Sequence, residues 1–277
     1  MKTFKEAFVV KYPKYGKLVM DFAKANDLNE VEWQDMTKVN LANFVDYLTE
    51  NVAPSSAKTY CAMLKAVLSL YSDEVALPKD FAKVLSLRGC PSQNTWLTDD
   101  EIYKLIAYNP ESPTEHLVRN QFVLEAVTGA RHSDVIKFTR KNIVDDTLVY
   151  VSRKTHIKAS IPLAPVVVRF LKEIDFISRE VSTVTFNLIL REICRKNGIT
   201  EQVKLYRHGV DCEGEKWQFI SSHSGRRSFA SNLYLRGADL LAISKLMGHT
   251  DVKMTQGYIV CPPRLNDEIL NYFKQFD

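Results

Sequence analysis

From residue 1 to 88 the apolar positions recur every three or four residues and never alternate, which predicts helices and no strands. YGKLVMDFAKAND reads as a short amphipathic helix. In TKVNLANFVDYLTEN, Leu41, Phe44, Val45 and Leu48 share one face, and Thr37 stands at the N-cap position. PSSAKTYCAMLKAVLSLYSDE predicts a longer helix that starts at a serine cap and buries Tyr60, Met63, Leu64, Val67 and Leu70. LPKDFAKVLSL predicts a last, shorter one. RGCPSQNTW then breaks the pattern with Gly, Pro, Ser and Asn, which puts an interdomain linker at 89–96.

LTDDEIYKLIAY opens a second domain, with Thr98 as cap ahead of acidic first-turn residues. HLVRNQFVLEAV is apolar almost all round and predicts a buried helix stopping at Thr128-Gly129. The period then changes. DTLVYVSRKT and KASIPL predict two strands joined by a tight turn, and KLYRHG and KWQFISS a second hairpin around the loop VDCEGE. Helices return from residue 224. Gly237 ends one, Asp239 caps the next and Gly248 ends that one. In the tail, Leu265, Ile269, Tyr272, Phe273 and Phe276 fall at near-helical spacing, predicting an amphipathic helix over 264–276. The expected fold class is mainly α with a small antiparallel β-sheet (α+β): a helical domain at 1–88 and a second domain at 97–277.

Composition narrows this only a little. A 45% hydrophobic, 25% charged chain of 277 residues builds a real core in one or two soluble domains. A net charge of +4 permits an anionic partner without demanding one. The five cysteines are scattered and form no CxxC pair, which argues against a disulfide framework or a thiolate zinc site and suits a reducing cytosol. No signal peptide or membrane span is visible, so a cytoplasmic protein without membrane contact is expected.

Six polar positions in the second domain stand out. TGARHSD sets Arg131 just after a glycine turn. SRKTHIKASIPL puts Lys154 on the tip side of a hairpin, with Lys158 nearby. HSGRR holds His223 and Arg226 at i, i+3, on one face of a helical turn. MGHTDVKMTQGY carries His249 and, nine positions on, Tyr258. Each alone has an ordinary explanation: a surface arginine, a solvated lysine, a helix-capping histidine, a core tyrosine. In order they form Arg … Lys … His-x-x-Arg … Gly-His … Tyr.

That ordered pattern resembles the tyrosine recombinase (phage integrase) family over about residues 97–262, through TGARHSDVIKF, KTHIKASIPL, HSGRRSFASNLYLRGADLLAISKLMGH and MTQGY. The N-terminal helices match it only in length and helical character. The resemblance implies a two-domain DNA clamp: a helical core-binding domain and a catalytic domain. The expected activity is site-specific recombination (integration, excision, inversion or resolution) through a 3′-phosphotyrosyl intermediate. Expected partners are double-stranded DNA and a homotetramer on two duplexes, with room for accessory DNA-bending proteins. The setting expected is bacterial or phage-encoded and nucleoid-associated. The helical domain begins almost at Met1, which leads us to expect no separate arm-binding domain.

Elementary chemistry agrees with the match. A phosphodiester attacked in line builds charge on its non-bridging oxygens, and two arginine forks, Arg131 and Arg226, neutralise it without metal or other cofactor. A tyrosine, with a pKa near 10, needs positive surroundings and a proton acceptor, for which His223 is the candidate. The resemblance implies that Lys154 protonates the leaving 5′ oxygen, with Lys158 as the competing choice, and His249 would donate to a non-bridging oxygen. Asp134 either supports an active-site basic group or is a surface helix charge. Lys58 and Lys65 form either a DNA-facing stripe, with Thr59 beside it, or a solvated face. Gly248 would turn His249 inward, and Gly257 would give Tyr258 local freedom. The rival readings are a type IB topoisomerase-like nicking–closing enzyme and a non-catalytic helix–turn–helix regulator.

Overall fold

The computed structural model describes residues 2–173 and 180–263. The amphipathic helix expected at 264–276 lies outside them. The chain divides into two units: residues 1–92 with 206–211, and residues 93–205 with 212–277.

The first unit is built from α1 (Phe4–Lys11), α2 (Lys17–Ala25), α3 (Lys38–Asn51), α4 (Pro54–Leu70) and α5 (Phe81–Val84). Thr37 caps α3 as expected, accepting from the Asn40 amide at 3.2 Å. Sequence analysis missed α1, although Thr3 and Glu6 form a reciprocal capping box and Phe4, Ala7 and Phe8 enter the core. It also mis-set α4. That helix starts at Pro54, with no side-chain cap at Ala53, and buries Ala57, Cys61, Leu64, Val67 and Leu68. Leu70, expected inside, is 63% exposed. The buried stripe therefore begins on the small residues Ala57 and Cys61 and continues through Leu64, Val67 and Leu68. Lys58 is exposed, with its Nζ beside Gly89. Lys65 spends its ammonium on the Ser86 hydroxyl at 3.1 Å, and Thr59 bonds back to the Ser55 carbonyl at 2.8 Å.

The second unit is organised around α7 (Pro113–Thr128), which packs against α6 (Asp99–Ala107), α10 (Thr183–Lys196) and α11 (Ser222–Leu235). Ser112 caps its start and Gly129, at φ 65°, ends it. Nearly every residue from Leu117 to Thr128 is buried, as expected, although Arg119, Asn120, Gln121 and Glu125 are among them. Thr98 and Glu101 form the capping box of α6. The start of α6 is tied to α11 by Ser228 Oγ, which accepts from the Leu97 amide, and by Asn232 Nδ2, which donates to the Leu97 carbonyl.

After α8 (His132–Val135), strands β1 (Ile143–Val144), β2 (Thr147–Val151) and β3 (Lys158–Pro162) form an antiparallel sheet in that order. Register pairs Leu148 with Ile161 and Tyr150 with Ala159, which face the core, as strict alternation requires. The β2–β3 connection is a loop, 152–157, rather than the tight turn expected. Beyond α9 (Pro165–Glu173) and α10, β4 (Gln202–Arg207) and β5 (Val210–Glu215) pair across His208-Gly209. VDCEGE is therefore a strand and not the loop, and KWQF is a short 3-10 helix. Both turn residues have positive φ, 54° and 90°, as a two-residue I′ hairpin demands. Helices α11, α12 (Leu240–Leu246) and α13 (Val252–Gln256) close the described chain.

The glycines rank themselves by geometry. A Cβ on Gly129 would sit 2.4 Å from Phe229 Cδ1 at a left-handed φ, whereas Gly248, at φ 62°, has nothing within 4 Å. Gly257 is right-handed helical at φ −68°, so it supplies no special freedom beside Tyr258. Gly129→Ala should cost ~3 kcal/mol from overpacking plus left-handed strain. Gly248→Ala should cost only ~1–2 kcal/mol from strain alone, and Gly257→Ala should be nearly neutral. Denaturant unfolding of the three variants checks the order; equal losses at Gly129 and Gly257 would contradict it.

Candidate active site

Helix α11 begins with Ser221 and Ser224 in a reciprocal cap, which fixes the first turn of HSGRR. Gly225 then lets α11 lie directly on α7: a Cβ there would be 2.7 Å from Glu125 Cβ. This close approach sends Arg226 inward, where it is 1% exposed. Its Nη1 donates to the Gly129 carbonyl, and its Nη2 donates to the Met247 carbonyl at 3.3 Å and to His249 Nε2 at 2.7 Å. The guanidinium carbon lies 5.1 Å from the centroid of the Tyr258 ring, within cation–π range. Its Nε is buried with no acceptor among the described residues.

These contacts determine the state of His249. A guanidinium only donates, so Nε2 must present its lone pair and Nδ1 must carry the proton. Nδ1 donates to Thr255 Oγ1 at 2.9 Å. Burial, then Arg226 and Arg131, push the imidazole down to about 4. His249 is therefore neutral, and in this arrangement it accepts at Nε2 instead of donating to a phosphate oxygen. Gly248 brings it there as anticipated. The Gly248 amide bonds Lys245 O at 3.1 Å and the His249 amide bonds Ser244 O at 3.0 Å, a Schellman ending to α12. Tyr258 lies two residues past the end of α13; its amide bonds Thr255 O at 2.9 Å, and its ring is 5.3 Å from that of His249.

Arg131 leaves the turn after Gly129 and donates through Nη1 to Ser152 Oγ at 2.9 Å. Ser152 starts the loop that carries Lys154. Two further ties hold that loop: Asp134 Oδ1 accepts the Arg153 amide at 3.1 Å, and Thr155 Oγ1 donates to the Gly248 carbonyl at 3.2 Å. Asp134 thus holds loop backbone and no basic side chain among the described residues; its Oδ2 is buried and unpartnered. Lys154 is exposed on the tethered loop, and Lys158 is exposed at the first position of β3. His223 lies at the surface of the same cluster. Loss of part of its hydration, then Arg227, Arg226, His132 and Lys154, hold its pKa below the ordinary imidazole value.

The structure thus brings Arg226, His249 and Tyr258 into direct contact and sets Arg131, His223 and the Lys154 loop around them. Sequence analysis missed Ser152, Thr155 and Thr255, which carry no pattern of their own. It also missed the buried Glu125 and the half-buried His132, 2.6 Å apart. Among the described residues no group of His, Cys, Asp and Glu has the form of a metal site, and no helix is long and apolar enough to cross a membrane.

The His249 arrangement is measurable. At pH 5.5 its ring nitrogens should show a neutral imidazole protonated on Nδ1 in heteronuclear NMR; an imidazolium, or an Nε2–H tautomer, would contradict the hydrogen-bond assignment. The sign for stability follows. The folded value is depressed below the unfolded one near 6.5, so the contribution is complete above that pH. It is lost as pH falls toward about 4, by up to ~3 kcal/mol from linkage.

Residues 95–261 match the model of the phage integrase family. The tyrosine recombinase XerD of Haemophilus influenzae is 27% identical over 245 residues, covering 84% of this chain and 80% of that protein. Among solved structures, a lambda integrase(75-356) dimer bound to a COC' core site superposes with a TM-score of 0.66 at 21% identity, over 92% of this chain and 91% of that one. A lambda integrase tetramer bound to a Holliday junction gives a TM-score of 0.62 at 20% identity, over 88% and 71%. These likenesses share the mainly helical fold with its small antiparallel sheets. Together with the family match over most of the second unit, they lead to one conclusion: the chain belongs to the phage integrase family, the tyrosine recombinases.

Proposed function

We propose that this chain performs site-specific DNA recombination with Tyr258 as its nucleophile. The phenolic oxygen attacks the scissile phosphorus, the P–O5′ bond breaks, and a 3′-phosphotyrosyl link and a free 5′ hydroxyl result. The 5′ hydroxyl of a partner strand then attacks that link and releases Tyr258. The observation that carries this reading is the packing of Tyr258 against the buried Arg226 guanidinium and the His249 ring. An isolated helix–turn–helix reader of DNA would have no use for it.

Arg131 and Arg226 neutralise the charge that grows on the non-bridging oxygens. The unpartnered Nε of Arg226 is a donor that a phosphate oxygen would satisfy. His223, whose pKa is lowered by partial loss of hydration and then by its cationic neighbours, takes the tyrosine proton. Lys154 gives a proton to the leaving 5′ oxygen; the three ties on its loop favour it over Lys158. Asp134 serves by fixing that loop. His249 orients Arg226 and Tyr258, and donates to phosphate only once Nε2 has exchanged its lone pair for a proton.

The helical region 1–88 is the DNA-binding domain of this reading, joined by 89–96 to a catalytic domain at 97–277. Lys58, exposed on α4, is the better phosphate contact, since Lys65 is engaged with Ser86. Four protomers hold two duplexes, with the tail segment 264–276 packing on a neighbouring protomer, in a cytoplasmic, nucleoid-associated setting. The lambda integrase tetramer on a Holliday junction supports that assembly. Strand exchange between two labelled duplexes tests the reading; nicking and resealing of one duplex without exchange would contradict it.

The roles separate by substrate chemistry. Arg131→Ala and Arg226→Ala should each lower cleavage by at least ~100-fold, the usual scale for removing a positioned charge donor. Lys154→Ala should be as slow on ordinary DNA but recover on a substrate with a 5′-bridging sulfur, whose thiolate leaves without a proton. Lys158→Ala should cleave both nearly normally. Sulfur rescue of Lys158→Ala in place of Lys154→Ala would exchange the two lysines.

A further inference from the structure

Two buried hydroxyls bracket Tyr258. Thr255 is the buried residue of the short helix α13, and Ser231 of α11 is enclosed to the same degree, each 0% exposed. Buried hydroxyls in helices commonly bond back to the carbonyl one turn earlier, as Ser228 does to Ser224 O at 2.8 Å. Thr255 and Ser231 each accept from another segment of the chain. Thr255 Oγ1 accepts His249 Nδ1–H at 2.9 Å, and the Thr255 carbonyl accepts the Tyr258 amide, also at 2.9 Å. Arg226 donates to the far side of the same imidazole at 2.7 Å and lies 5.1 Å from the Tyr258 ring centroid. The contacts therefore close a circuit: guanidinium, imidazole, hydroxyl, main chain, phenol ring. Beyond Tyr258, the Ile259 amide reaches Gln256 O at 3.3 Å, and the Val260 amide reaches Ser231 Oγ at 3.1 Å. Cys261 Sγ donates to the Ser231 carbonyl at 3.7 Å. The amides of Tyr258, Ile259 and Val260 are all taken up, and α11 grips this segment at Arg226 and again at Ser231.

We propose that Thr255 and Ser231 are positioning residues for the nucleophile. Thr255 ties the backbone of Tyr258 to the orientation of His249, and Ser231 anchors the chain just beyond it, so that the phenol is held against Arg226. The proposal rests on the reading of Tyr258 as the attacking residue. A nucleophile at the end of a short helix has soft backbone torsions on either side, and that freedom must be removed for an in-line attack. Fastening the segment before and after Tyr258 removes it in the fold itself. The two hydroxyls divide the work. The Thr255 hydroxyl acts through the imidazole, because an Nδ1–H with an acceptor leaves Nε2 free to receive Arg226. Without that acceptor, nothing in the circuit favours this tautomer except the arginine. The Ser231 hydroxyl acts on the main chain alone and does not touch His249.

The test is single-turnover cleavage of a nicked substrate by the whole protein, with site binding measured separately and the ring nitrogens of His249 followed by NMR. Thr255→Val keeps the shape of the side chain and removes the acceptor. The His249 Nδ1–H signal should then be lost to exchange or give way to the other tautomer, and cleavage should fall about 10- to 100-fold with binding unchanged. Thr255→Ser returns the hydroxyl and should recover both the signal and most of the rate. Ser231→Ala should slow cleavage about tenfold while the His249 signal stays native. Thr255→Ala replaces Thr255→Val if the valine unfolds the chain. Native cleavage rates in the folded Thr255→Val and Ser231→Ala variants overturn the proposal. So does a His249 signal unchanged in Thr255→Val, or a lost rate that Thr255→Ser does not recover. A DNA adduct on a residue other than Tyr258 would overturn the nucleophile reading and this role with it, while the His249 signal would still report whether Thr255 holds the imidazole.

Discussion

One buried guanidinium holds the catalytic half of this molecule together. Arg226 joins the end of α7 through Gly129, the end of α12 through Met247, the imidazole of His249 and the ring of Tyr258. A charge this deep is tolerated only when its protons are taken up, and carbonyls at two helix ends and the His249 imidazole accept three of them. Helix ends leave carbonyls unsatisfied in any case, so one side chain answers both needs. Much else follows from this constraint. Gly129 must be glycine to end α7 where its carbonyl meets the arginine. Gly225 must be small for α11 to come close enough. His249 must be neutral, because its partner has only protons to offer.

The remaining charges are graded by depth. Arg226 is committed to the protein on most of its donors, Arg131 spends one on Ser152, and Lys154 and His223 lie open at the surface. The two acidic groups nearest the cluster are turned away from a ligand: Asp134 onto loop backbone and Glu125 onto His132. What faces outward is therefore a set of basic groups that, among the described residues, is not hydrogen-bonded to a carboxylate, which suits a phosphate diester. The small sheet contributes by holding the lysine loop. Leu148, Tyr150, Ala159 and Ile161 anchor the two strands in the core, and the loop between them is pinned at both α8 and Gly248.

The chain's own residues announce much of this, unevenly. Several helix ends were legible from the chemistry of their caps: Thr37, Thr98, Asp239, Gly129 and Gly248 all act as their types suggest, whereas the Thr3–Glu6 box of α1 went unread and α4 begins without the serine cap expected of it. The order of basic groups and tyrosine in the second half announced the chemistry, because no single helix or sheet would require it. What stayed hidden depends on long-range packing. The strand VDCEGE carries no alternation, since both its faces are largely polar and its place is dictated by the His208-Gly209 turn. The α4 face shifted because Ala57 and Cys61 are small and weakly hydrophobic, yet pack best. The tautomer of His249 is imposed by a residue 23 positions away. The Glu125–His132 pair is invisible until α7 folds back on the turn that follows it.

The central claim is that Tyr258 is the residue that becomes joined to DNA. A nicked substrate carrying the recombination site would trap the covalent complex, since the short strand released by cleavage diffuses away before it can be rejoined. Digestion of that complex and mass spectrometry of the DNA-linked peptide then identify the attached side chain. The account predicts a single adduct, on Tyr258, absent from Tyr258→Phe although that variant still binds the site. An adduct on Tyr234 or any other residue, or undiminished adduct formation by Tyr258→Phe, would contradict it.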